Sequence, residues 1–296
     1  RKDGKVYGRG SADMKGFVAA MLSAAKKASG QNLRTPLHLA LSYDEEIGCI
    51  GVRSMIDMLS AAPHLPLMCV VGEPTGLAVA TGHKGKMAAR ARFTGRAGHS
   101  ALAPFAVNAL YLANDFITVL RDVQADLQAS GGQDADYDVP YTTLHVGRIS
   151  GGGALNIVPH HCELDFEIRN LAQDDPQEIL QRLKRAAQQI ADTARTDAPE
   201  ASVEIEVFNT YPGLDTPPGA AVVGFVKSLT GANGSYKVAY GTEGGLFNQR
   251  LGVPTVVCGP GDMAQGHKPD EFVSEAQLTA CDVMLSNLVA RLVEGV

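Results

Sequence analysis

Leu67-Met68-Cys69-Val70-Val71-Gly72-Glu73-Pro74-Thr75 is the stretch from which the fold class is read. Five apolar residues in a row form a fully apolar strand, followed at once by glycine, an acid and proline. Outward from it, strands and helices alternate. Asp13–Ser29 carries apolar residues at Phe17, Val18, Met21, Leu22 and Ala25 and closes on Gly30, the pattern of a helix. Leu37–Ser42 reads as a short strand running into Asp44-Glu45-Glu46, and Val52–Ser60 as a helix. After residue 211 the same style returns: helix Val222–Leu229, strand Lys237–Tyr240, short helix Gly244–Arg250, strand Pro254–Cys258 and closing helix Glu275–Val293. Buried strands alternating with helices predict an α/β domain with helices over both sheet faces.

The middle differs. Lys86–Thr94 alternates polar and apolar residues, as a half-exposed antiparallel strand does. Helix Asn108–Gln128, strands Thr143–Ile149 and Cys162–Arg169, helix Pro176–Thr196 and strand Ser202–Asn209 complete the order β-α-β-β-α-β, the split-βαβ pattern. Gly151-Gly152-Gly153 reads as a turn between two of these strands. The predicted organisation is a smaller domain, residues 85–210, inserted into an α/β domain formed by residues 1–84 and 211–296.

Composition narrows the function classes. With 45% hydrophobic and 20% charged residues among 296, the chain can bury a sizeable core. A net charge of −6 argues against a nucleic-acid partner, and no apolar run approaches the ~18 residues of a membrane span. The five cysteines are odd in number and have no C-x-x-C spacing; they read as buried free thiols of a cytoplasmic protein.

The chemistry lies in where acids and one histidine fall. Asp13 stands at a loop-to-helix junction, where taken alone it reads as a helix N-cap. Glu45 and Glu46 follow one strand and Glu73 another. His267 follows a third, in Gly259-Pro260-Gly261-Asp262-Met263-Ala264-Gln265-Gly266-His267. Strand ends of an α/β sheet converge at one rim. Carboxylates clustered there call for a cation, and oxygen ligands with imidazole suit a zinc-like divalent ion. In an extended segment Glu45 and Glu46 would point opposite ways, so one can ligate metal while the other serves as general base.

Tyr7–Gly16 (YGRGSADMKG), Asp44-Glu45-Glu46, Gly72–Thr75, Gly98-His99-Ser100, Asn156–Pro159 and Gly259…His267 occur in an order that resembles the co-catalytic zinc aminoacylase/carboxypeptidase family from end to end. Within it, Gly259–Val273 and Cys162–Asn170 are most similar to the members that deacetylate N-acetylornithine. The resemblance implies a zinc-exopeptidase-like catalytic domain with an inserted ferredoxin-like lid and dimerisation domain. It implies a metal-dependent amidohydrolase with two divalent ions, zinc first and cobalt or manganese as alternatives. Asp13 would bridge the ions, Glu46 and His267 would complete one shell, and Glu73 would ligate the other. Glu45 would be the general base and His99 the oxyanion donor. Asn156, Arg169, Thr242 and Gly244 would bind substrate; a salt bridge from Arg169 to Glu163, Asp165 or Glu167 is the lesser alternative. Glu243, Asp262 and Glu271 are all candidates for the acid facing a substrate amine. The implied partners are a small-molecule N-acyl amino acid and a second copy of the chain, joined through the lid.

Two further readings follow from what the sequence lacks. The family's first metal motif, His-x-Asp, is absent from residues 1–296, so the catalytic domain is expected to be N-terminally incomplete and inactive by itself. A non-catalytic dimerising or ligand-binding relative is the second. On the enzymatic reading, succinyl-diaminopimelate, other N-acyl amino acids and dipeptides stand as alternative substrates.

Overall fold

The computed structural model describes residues 1–296 and divides them into two compact units, Arg1–His83 with Gly213–Val296, and Lys84–Pro212. The first unit is built on a five-stranded sheet. Leu214–Asp215, Val79–His83, Thr255–Gly259 and Cys69–Pro74 lie side by side in that order, and Ser235–Val238 pairs with Val79–His83. The sheet is mixed. Cys69–Pro74 runs parallel to Thr255–Gly259, and Ser235–Val238 parallel to Val79–His83, whereas the central pair meets antiparallel at Val257 and Ala80.

Alternation along the central strand sends its side chains to two cores. Val256 and Cys258, with Val79, meet Phe17, Ala20 and Ala24 of helix Gly16–Ala28, Val222 and Val226 of helix Ala221–Thr230, and Met284 and Val289 of helix Glu275–Glu294. Val257 faces the other way, with Ala80, Leu214 and Val238. Helix Gly244–Leu251 packs on strands Leu214–Asp215 and Thr255–Gly259 with Leu246, Phe247 and Leu251 buried. The ladder between Thr255–Gly259 and Cys69–Pro74 is close: a Cβ on Gly259 would lie 2.0 Å from the Gly72 carbonyl oxygen.

Two expectations about strands fail for want of a ladder partner. Cys69–Pro74 ends the strand order, with Thr255–Gly259 as its neighbour. Its first three residues are therefore half-buried, and Leu67, expected in a fully buried strand, is 62% exposed outside it. Leu37–Ser42 forms no strand, because no ladder partner reaches it; Leu39 and Leu41 are exposed and His38 lies in irregular backbone. A further difference concerns Asp13. The regular helix begins only at Gly16, and Asp13 and Met14 have non-helical backbone angles, so Asp13 is not an N-cap.

The second unit is a four-stranded antiparallel sheet in the order Thr143–Gly151, His161–Arg169, Lys86–Thr94, Ser202–Tyr211. With helices Ala109–Ser130 and Pro176–Ala194 it has ferredoxin-like βαββαβ connectivity. Both helices start on a side-chain cap: Asn108 Oδ1 accepts the Leu110 amide and Asp175 Oδ1 the Gln177 amide, the latter with Pro176 at the first helical position. One sheet face is apolar, where Phe93, Phe116, Leu164, Phe166 and Leu183 pack together. On the strands' other side chains run ion pairs such as Arg90–Asp165 at 2.6 Å and Arg92–Glu206 at 2.7 Å. No helix of the chain is long and apolar enough to cross a membrane.

Candidate metal centre and active site

Asp13, Glu46 and His267 come together from three separate loops. His267 Nε2 lies 3.0 Å from Asp13 Oδ2 and 3.0 Å from Glu46 Oε2, and one ligand atom from each residue falls within 4.8 Å of the others. The Asp13 side chain is only 10% exposed, whereas those of Glu46 and His267 are open to solvent. Left-handed backbone helps bring these groups in. His267 has φ 55°, and Asp44 and Cys49, which flank the Glu45-Glu46 pair, have φ 55° and 56°. Non-glycine residues take this conformation only where surrounding structure holds them there.

Glu45 and Glu46 part company, though not by strand alternation. They enter a turn in which the Glu45 carbonyl accepts the Gly48 and Cys49 amides, both at 2.8 Å. Glu46 reaches His267, while Glu45 Oε1 accepts the Cys49 thiol at 3.4 Å. Burial, followed by the neighbouring Glu243, Glu46 and Asp13 carboxylates, outweighs that hydrogen bond and raises the Glu45 carboxyl to about 7. Cys49 is pushed up by burial and by Glu45, so the thiol stays protonated as a donor.

Glu73 completes the cluster from the end of its strand. It is 4% exposed, shares a hydrogen bond with Asp13 and is raised well above the usual carboxylate range, by burial first and then by Asp13 and Glu45. Its Oε2 is buried without a partner. A buried carboxylate oxygen without a donor, beside other acids, fits a site completed by a cation. Three carboxylates with one imidazole suit a hard-to-borderline divalent ion.

Residues 1–291 match the description peptidase family M20/M25/M40. The chain belongs to this family. It is similar to the acetylornithine deacetylase of Myxococcus xanthus, with 34% identity over 303 residues covering 99% of this chain and 74% of the relative. The enzyme of the same name from Pasteurella multocida is 33% identical over 297 residues, with the same two coverages. Among solved structures, an M20-family metallo-carboxypeptidase from Sulfolobus solfataricus superposes with a TM-score of 0.78 at 19% identity, covering 99% of this chain and 79% of that one. A tripeptidase from Staphylococcus aureus gives 0.77 at 21% identity, covering 99% and 75%. The M20 chain is thus a metallohydrolase acting on amide bonds, and its family implies divalent metal ions.

The remaining candidates of this M20 chain divide into free and committed groups. Arg169 is held by Glu167: its Nε lies 2.9 Å from Oε1 and its Nη2 3.3 Å from Oε2, while Nη1 donates to the Tyr211 hydroxyl at 3.1 Å. His99 is exposed, and its Nδ1 accepts the Ala101 amide at 3.1 Å, so the neutral ring carries its proton on Nε2. Asn156 is exposed and its carbonyl accepts the Ser100 amide at 3.0 Å. Thr242 and Gly244 are buried and bonded to each other, with the Gly244 amide donating to Thr242 Oγ1 at 3.0 Å. His83 is fully buried, its Nε2 accepting the Gly245 amide at 3.1 Å.

The three acids left open by the sequence separate clearly. Asp262 is exposed and accepts the Ala264 amide of its own loop at 2.8 Å. Glu271 is 3% exposed and spends its carboxylate on backbone amides of residues 10–13. Glu243 has a buried Oε1 with no partner, and burial raises its carboxyl. Cys49 and Glu271 are functional neighbours that sequence reasoning missed or left open. Cys49 carried the signal of a cysteine four residues after Glu45. Glu271 carried none beyond a charged residue beside the strand Phe272–Ser274.

Proposed function

We propose that this M20-family hydrolase removes the acetyl group from N-acetylornithine, releasing ornithine and acetate. The observation that carries the reading is the division of labour at Glu45-Glu46. Glu46 joins Asp13 and His267, while its neighbour Glu45 is held apart with its carboxyl at about 7. Asp13, Glu46 and His267 would hold one divalent ion and Glu73, with Asp13, a second; zinc is the first choice of metal. When bound, such ions polarise an amide carbonyl and acidify water. Glu45 then takes a proton from the attacking water and delivers it to the leaving amine, a general base and general acid in turn. His99, with its proton on Nε2, carries the kind of donor that a developing oxyanion needs.

Substrate recognition follows from the committed and free groups. The planar fork of Arg169 suits a carboxylate, for which Glu167 is the present occupant. Among the three acids, Glu243 alone keeps a buried oxygen without a partner, which suits it to receive the δ-amine. The exposed apolar residues Leu102, Phe105, Leu155 and Ile157 around the short ladder Gly98–His99 with Ile157–Val158 support a homodimer through this unit. A cytoplasmic location accords with five free thiols, four of them buried.

The test compares N-acetylornithine, N-succinyl-diaminopimelate and a dipeptide, using protein expressed from its own reading frame and loaded with zinc. The expected result is a kcat/KM for N-acetylornithine at least tenfold above the other two. A preference for either of the others rejects the substrate, and no hydrolysis of any rejects the enzymatic reading.

A further inference from the structure

Glu271 lies outside the metal cluster, yet every polar atom of its carboxylate acts on the segment that carries Asp13. Oε1 accepts the Ala12 amide at 2.9 Å and the Asp13 amide at 3.1 Å. Oε2 accepts the Gly10 amide at 2.9 Å and faces Arg9 Nη1 at 3.4 Å. The Glu271 carbonyl in turn accepts the Gly8 amide at 2.9 Å. The side chain is 2% exposed. A loop amide without an acceptor is costly when buried, and the three amides of Gly10, Ala12 and Asp13 all converge on this one carboxylate. Within the segment the Ser11 amide bonds the Gly8 carbonyl and the Lys15 amide the Gly10 carbonyl, while the Gly10, Ala12 and Asp13 amides are taken by Glu271. Gly10 is left-handed at φ 77°, and Asp13, at φ −118° and ψ 89°, lies outside the regular helix that begins at Gly16.

The same residue belongs to the other side of the cluster. Glu271 is four positions after His267, and directly after it Phe272–Ser274 pairs antiparallel with Lys5–Tyr7, the strand that leads into the Asp13 loop. One side chain therefore ties the loop of His267 to the loop of Asp13, whose ligand atoms meet at 3.0 Å.

We propose that Glu271 is a positioning residue for the metal centre: its carboxylate gathers the Gly10, Ala12 and Asp13 amides and so sets the aim of Asp13 relative to His267. The role needs an acceptor-only group with two oxygens. In Glu271→Gln the amide nitrogen must face at least one N–H, and in Glu271→Ala all three amides lose their acceptor. Residues that orient a ligand without touching the metal are worth about 10–100-fold in affinity. The inference rests on the reading of Asp13 as a metal ligand.

The test titrates Co²⁺ into the wild-type chain and the Glu271→Gln, Glu271→Ala and Asp13→Asn variants, following the visible absorption bands that report ligand geometry. Wild type is expected to bind with a defined spectrum that Asp13→Asn loses. Glu271→Ala should bind about 10–100-fold more weakly with shifted bands, and Glu271→Gln should lie between. If Glu271→Ala does not fold, Glu271→Gln decides by the same measures. Wild-type affinity and spectrum in the folded Glu271 variants, with Asp13→Asn impaired, overturn the positioning role alone. Equal binding by wild type and Asp13→Asn overturns the ligand reading beneath it.

Discussion

Glu45→Gln is expected to lower kcat for N-acetylornithine by roughly 10³-fold, within the range that a positioned general base contributes. The amide is nearly isosteric with the carboxylate but cannot take a proton from water or return it to the leaving amine. Metal affinity should change little, because the Asp13, Glu46 and His267 atoms meet without Glu45, whose oxygen is turned to Cys49. Asp13→Asn should lose metal and activity together. Single-turnover kinetics with matched zinc content distinguishes the two variants. A Glu45→Gln protein that keeps more than a tenth of wild-type kcat removes Glu45 from the proton-transfer step.

The same substitution should stabilise the metal-free protein at alkaline pH. The Glu45 carboxyl titrates at about 7 in the folded chain against an ordinary 4.5, so its charged form is disfavoured by folding. A group raised in this way contributes fully below its unfolded value and loses that contribution as pH rises through the folded one. In the metal-free chain the loss runs from about pH 4.5 to about pH 8, and its full extent is about 3 kcal/mol. Glu73 and Glu243 are raised by burial and act in the same direction. Asp165, Glu167 and Glu271 are lowered and act in the opposite one, so total stability against pH is not diagnostic. The difference between wild type and Glu45→Gln isolates the group. Urea unfolding in the presence of a chelator should find the variant about 2–3 kcal/mol more stable at pH 8.5, with the gap nearly closed at pH 4.5. Equal stabilities at both pH values contradict the assignment. The side chain that serves the reaction is thus one that weakens the empty fold, a trade common at active sites.

What could be read from the sequence depended on how local its cause was. The ferredoxin-like unit was legible because each element signals itself: Lys86–Thr94 alternates, and Asp175-Pro176 opens a strongly amphipathic helix. Leu37–Ser42 alternates almost as well but has no neighbouring strand to bond, and pairing is not a property of a segment by itself. The junction at Asp13 looked like a helix start. Its conformation is instead governed by Glu271, 258 residues away, a distance at which no spacing rule operates. Glu45 and Glu46 were expected to diverge by strand alternation; they diverge because a turn closes on the Glu45 carbonyl. Arg169 was readable as a bidentate donor, but its present partner Glu167 lies two residues away on the same strand face.

Zinc titration by calorimetry, wild type against Asp13→Asn at neutral pH, tests the central claim most directly. The chain should bind divalent ions saturably, one through Asp13, Glu46 and His267 and a second through Asp13 and Glu73, and the substitution should weaken binding by at least 100-fold. Identical isotherms for the two proteins would contradict a metal centre at this cluster.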